Sequence, residues 1–150
     1  MTAPGLARRK ILLYTVAMPT EIERTRELVI RQDGRYPIEA FGFLQEGMAR
    51  AVTSTYGEKL AARPHGERHV TGRQLCLSLR DLAVERWGFL ARHVLTHWRI
   101  RATVDFGHMV YLMIEHGLMH KTDEDSLDDF RNVYTFDDAF APQDCFELKD

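Results

Sequence analysis

The chain has 150 residues, 45% of them hydrophobic and 28% charged, with a formal net charge of −2. That composition belongs to a globular protein, long enough to bury a core without disulfide staples, and it excludes a helical membrane span, since no apolar run approaches the ~20 residues one needs. The small net charge hides a division: residues 123–150 carry ten acidic and two basic side chains, a balance of −8, and residues 1–122 carry twelve and eighteen, a balance of +6.

Arg8-Arg9-Lys10 precedes an apolar run, Ile11 to Met18, which stops at Pro19. The run is short for the core of a secretory signal, so residues 1–19 read as an N-terminal extension, a strand or an irregular segment. Thr20-Glu21-Ile22-Glu23 has the form of a capping box and predicts a helix from about Glu21 to Arg31. Its apolar face is thin, mainly Ile22 and Val29, which places it at the edge of the fold. Tyr36-Pro37 opens the next element, because proline is favoured in a first helical turn. Phe41, Leu44, Met48 and Val52 recur there at spacings of three and four, the stripe of a core helix ending near Gly57. Residues 57–70, GEKLAARPHGERHV, read as a loop.

Thr71-Gly72-Arg73-Gln74 is a second capping box, followed by Leu75, Leu79 and Leu82 on one face of a helix to about Arg86. Gly88 breaks the period. A helix from about Phe89 to Trp98 shows Leu90, Val94 and Trp98 at four-residue spacing. Thr103 is placed to cap the last long helix, with Asp105 in its positive first turn. That helix carries Phe106, Met109, Val110 and Met113 and ends at Gly117. Leu118-Met119 and Val133-Tyr134-Thr135-Phe136 suit short strands that could pair as a hairpin. The expected architecture is one mainly α domain over 1–150, with about five helices and a small C-terminal β-hairpin. Its second half is winged-helix-like, and residues 141–150 form a tail.

Three stretches, HVTGRQLCLSLRDLAVERWGFLARHVLTHW, TVDFGHMVYLMIEHGLMHKTDEDSLDDF and YTFDDAF, lie within residues 69–140. Together with Arg35-Tyr36-Pro37-Ile38-Glu39-Ala40-Phe41 they resemble a family of small planctomycete and verrucomicrobial proteins, over roughly two thirds of the chain. The resemblance implies the helical fold. It carries no activity and no catalytic residues.

The densest chemistry is acidic: Asp123, Glu124, Asp125, Asp128 and Asp129 lie within seven residues. A calcium loop would need Gly at its sixth and Glu at its twelfth position, where this chain has Asp128 and Tyr134. The segment therefore reads as a charged turn and a partner-binding surface. Ser126 or Asp125 can start a short helical turn whose Leu127 and Phe130 anchor it to the core. His93 and His97 share a helix face at metal-ligand spacing, with His108 or His116 as a third ligand, but Val94 breaks the HExxH motif. This metal-dependent hydrolase is the third reading.

The second reading is a winged-helix-like nucleic-acid binder using Arg92, Arg99 and Arg101, near Arg86, as phosphate contacts. Against it, the helix TVDFGHMVYLMIEH offers few base-reading donors, and its wing would be acidic. No GxSxG, P-loop or GxGxxG pattern occurs. Cys76 and Cys145 have no zinc or CxxC spacing, which points to a reducing, cytoplasmic setting. Cys76 sits among leucines, where a thiol acts as a small hydrophobe. The leading reading is a non-enzymatic helical adaptor with an unknown protein partner, no cofactor and no membrane. It engages that partner through the acidic segment, the apolar helix faces or both.

Overall fold

The computed structural model describes residues 19–62 and 69–142. The N-terminal extension, part of the 57–70 loop and most of the 141–150 tail lie outside these residues. Every regular element among the described residues is helical.

Helix α1, Pro19–Asp33, is already helical at the first described residue, so Thr20 to Glu23 lies inside the helix and does not mark its start. It buries Val29 and Ile30 near its C-terminal end and leaves most of its remaining length exposed, the edge position its thin stripe predicts. Helix α2, Ile38–Tyr56, follows Pro37 and buries Ala40, Phe41, Phe43, Leu44, Gly47 and Ala51. Met48 and Val52 of the expected stripe are only half-buried. The core face is turned toward the small residues because helix α3, Gly72–Trp87, crosses there at close range. A Cβ on Gly47 would lie 2.2 Å from Leu79 Cδ2, and Ser78 Oγ donates to the Gly47 carbonyl at 2.8 Å.

The α3 capping box forms as predicted: Thr71 Oγ1 accepts from Gln74 N–H at 3.1 Å, and Gln74 Oε1 accepts from Thr71 N–H at 2.8 Å. Leu75, Leu79 and Leu82 are buried as their spacing requires. Gly57 and Gly88 end α2 and α3 at φ +53° and +58°, a region costly for any residue with a Cβ. Residues 57–62, assigned to a loop by sequence, form a 3-10 turn.

A second 3-10 turn, Gly88–Leu90, leads into helix α4, Ala91–His97, which is shorter than the predicted 89–98. Its core face is Ala91 and Leu95, both fully buried, while Leu90 is 50% exposed. Val94 and Trp98 are half-buried, so the expected stripe is not the one that meets the core. Trp98 instead closes a ring cluster with Trp87 and Phe43, the three centroids lying 5.2–5.8 Å apart.

Helix α5, Thr103–Glu115, buries Phe106, Met109, Val110 and Met113 as predicted, with Leu112 in addition. Its cap differs from expectation. Thr103 is buried, and its hydroxyl donates to the Phe130 carbonyl at 2.6 Å. Asp105 serves the helix start instead, its Oδ2 accepting from the N–H groups of Arg101 and Ala102 at 2.8 and 3.1 Å.

No strand occurs among the described residues, and the hairpin expected after Gly117 is absent there. Leu118 and Met119 fold back on the end of α5, both N–H groups bonding to the Met113 carbonyl. Residues 133–135 lead into helix α6, Phe136–Ala139, capped by Thr135. Tyr134, Phe136 and Phe140 form an aromatic cluster that reaches Phe106, and Tyr134 Oη donates to the Cys76 carbonyl at 2.7 Å. These bonds and contacts occupy both would-be strands. The winged-helix-like second half therefore finds no support, and the fold is a helical bundle with a structured acidic loop. No described helix is long and apolar enough to cross a membrane.

Candidate functional site: the acidic loop

The loop between α5 and α6 is held at three points. The first is Phe130, buried at the end of a 3-10 turn, Leu127–Phe130. Its ring lies against two glycines on different helices. A Cβ on Gly72 of α3 would approach Phe130 Cε2 to 2.9 Å, and one on Gly107 of α5 would approach Phe130 Cγ to 2.8 Å. Thr103 Oγ1 holds both sides of this anchor, donating to the Phe130 carbonyl and accepting from Val133 N–H at 3.3 Å.

The second point is Asp129, whose carboxylate accepts from Ser126 N–H at 3.1 Å and starts the turn. The third is Asp125. Its Oδ2 accepts from Thr122 N–H at 2.8 Å and from the Thr122 hydroxyl at 3.1 Å. The His69 imidazole lies 3.0–3.1 Å from both of its oxygens, and the His69 carbonyl accepts from Tyr56 Oη at 2.5 Å. Burial by itself raises the Asp125 pKa, but the Thr122 and His69 contacts outweigh it and hold the carboxyl below its ordinary value.

The five predicted carboxylates therefore divide. Asp125 and Asp129 are half-buried and used internally, while Asp123, Glu124 and Asp128 are exposed. Of these, Asp128 pairs with Arg131 at 2.9 Å. Spacing in the sequence could not make that division, because it depends on His69 and on the glycine-lined seat. Tyr111 on α5 was also missed. Its hydroxyl is buried without a hydrogen-bond partner among the described residues. Its pKa is raised by burial first and then by the charges of Asp125 and Asp129.

The arginines of the nucleic-acid reading are drawn to different neighbours. Arg92 forms an ion pair with Asp137 of α6. Arg99, left-handed at φ +65°, donates through Nε to the Arg35 carbonyl at 2.8 Å and tethers the α1–α2 junction. Arg101 is exposed, and Arg86 pairs with Glu46. His93 and His97 are exposed on α4, and no group of three His, Cys, Asp or Glu among the described residues is arranged to hold a metal. His116 Nδ1 donates to the Leu112 carbonyl at 3.1 Å. Cys76 is fully buried and its thiol is pushed up to about 12 by burial, the state of a structural thiol and not of a nucleophile.

Met109 and Met113 lie in the core and Met119 packs against it. A cleft lined by Phe41, Leu44, Met113, Leu118 and Met119 measures about 10 Å³, space for roughly one water. A broader depression of about 350 Å³ runs along α1 beside Glu23, Arg24, Glu27 and Ile30 and is open to solvent.

Comparison with protein-family models, with curated proteins and with solved structures finds no match for this chain.

Proposed function

We propose that the protein is a non-enzymatic helical adaptor that engages a protein partner through the acidic loop, the partner contributing a basic docking segment. One observation carries this reading. The loop spends two of its carboxylates and Phe130 on holding its own shape, and it displays Asp123, Glu124 and Asp128 outward. A surface fixed before binding loses little conformational freedom on association, so modest electrostatic contacts become useful affinity. Charge complementarity then sets on-rate and selectivity more than raw affinity. The division of charge along the chain supports the same reading.

The test is fluorescence anisotropy with a labelled Lys/Arg-rich peptide, repeated with the triple variant Asp123→Asn, Glu124→Gln, Asp128→Asn. The reading expects binding that weakens with salt and falls about tenfold or more in the variant, the equivalent of about 1.4 kcal/mol. Equal binding by the two proteins would reject the loop as the docking surface. Random duplex DNA and single-stranded RNA belong in the same experiment. Salt-dependent binding of either that is lost on replacing Arg99 and Arg101 would favour the nucleic-acid reading instead.

A further inference from the structure

Asp123 and Glu124, two of the three outward carboxylates, are the central residues of a turn closed by Thr122 and Asp125. The Thr122 carbonyl accepts from Asp125 N–H at 3.1 Å, and the Asp125 carboxylate accepts in return from the Thr122 N–H and hydroxyl. His69, in the segment that enters α3, ties this turn to the helices. Its Nε2 stands 3.0–3.1 Å from both Asp125 oxygens, and its carbonyl accepts from Tyr56 at the end of α2. The outward Asp128 belongs to the other half of the loop. There the holding contacts are Asp129 on Ser126 N–H and Phe130 against its two glycines.

The two halves therefore differ in what can switch them. Histidine is the side chain that ordinarily changes charge between about pH 5 and 8, while carboxylates, phenols and amines ordinarily titrate outside that range. Such groups around the pair, among the described residues, are Tyr56 of α2, Tyr111 of α5, which feels the charges of Asp125 and Asp129, and Lys121 beside Thr122. Two further histidines stand near, His120 at the loop's entrance and His108 one turn before Tyr111 on α5. A hydrogen bond between charged partners is roughly twice as strong as a neutral one. The imidazole and carboxylate side chains keep 35% and 18% of their surface exposed, so solvent screens their attraction only in part.

We propose that His69 is a pH-responsive latch on the first half of the acidic loop. Its protonation clamps the Thr122–Asp125 turn and fixes Asp123 and Glu124; loss of the proton loosens both, while the half that carries Asp128 keeps its shape. The inference rests on the adaptor reading for its consequence, that two of the three docking carboxylates are arranged or released by pH.

Backbone 15N relaxation of the full-length protein at pH 5.5 and 7.8 tests the latch without a partner. The ratio of clamped to free turn should fall about threefold or more over this range. The order parameters of Asp123 and Glu124 should then drop from the ~0.85 of rigid backbone toward ~0.6, with those of Asp128 and Phe130 unchanged. In His69→Gln, which keeps a neutral donor, and in Asp125→Asn, which removes the charged partner, the values should not depend on pH. Unchanged wild-type values overturn the proposal, as does a drop spread over the whole loop. A pH response that survives in either variant also overturns it and passes the effect to His108 or His120. The peptide anisotropy described above reads docking separately, so a working latch with no peptide binding would reject the adaptor reading alone.

Discussion

Asp105 joins two segments far apart in sequence. Besides capping α5 it accepts from Tyr36 Oη at 2.5 Å, and burial followed by this bond holds the Tyr36 hydroxyl well above its ordinary pKa. Hydrogen bonds to a charged group are worth ~1.5–3 kcal/mol each, and a cap adds ~1 kcal/mol. Asp105→Ala is therefore expected to cost about 2–4 kcal/mol in urea unfolding. A loss below ~1 kcal/mol would mean that solvent replaces the carboxylate at no cost. Tyr111 is the opposite case, a buried hydroxyl with no hydrogen-bond partner among the described residues. Removing an unsatisfied buried group recovers part of a ~1–3 kcal/mol desolvation penalty, so Tyr111→Phe should leave stability unchanged or raise it by up to ~1 kcal/mol. A clear drop in the same urea titration would show that the hydroxyl is satisfied in solution.

At the scale of elements, α3 was legible because its large residues all lie on the face that meets the core. Leu79→Ala, at full burial, is expected to cost ~2–5 kcal/mol. The sequence misled at α4 for a definite reason. It carries two apolar stripes of equal period, Leu90–Val94–Trp98 and Ala91–Leu95, and the bulkier one is not the one that meets the core. Close approach of packed elements favours a small residue on the inner face, Ala91 in α4 and Gly47 against Leu79 in α2. The acidic segment was legible as composition, and so was the turn anchored by Leu127 and Phe130. Which carboxylates face inward was not, since His69 and the two glycines reach the loop only through tertiary structure.

Gly107→Ala weighs two of these effects against each other. It gains up to ~1 kcal/mol of helix propensity, but the new methyl would sit 2.8 Å from Phe130 Cγ and 2.9 Å from its Cβ. Overpacking of this kind costs typically ~1–3 kcal/mol, and the backbone-proximal Cβ cannot swing aside. The expected outcome is a net loss of stability, read as a lower denaturation midpoint. A gain would mean that the seat is loose.

The whole molecule is crossed by ion pairs that connect elements: Arg50–Glu85 and Arg86–Glu46 between α2 and α3, and Arg92–Asp137 between α4 and α6. These are exposed and contribute little each. Acid sensitivity should come instead from carboxylates whose pKa is depressed on folding, Asp125 foremost among those in the loop. A depressed folded value means that the Asp125 contribution is fully present above the unfolded pKa near ~3.9 and is lost as pH falls through the lower folded value. Wild-type stability should therefore fall more steeply below about pH 4 than that of Asp125→Asn, whose amide cannot titrate. Parallel curves would assign the acid transition to other groups.

The seat of Phe130 also dictates an order of events. Its two walls, Gly72 and Gly107, belong to helices that are strangers to each other in the unfolded chain, so the seat exists only once α3 and α5 have docked. A chain halfway to the native state has the carboxylates but not their arrangement. A ligand that reads the arrangement would then discriminate finished molecules from unfinished ones.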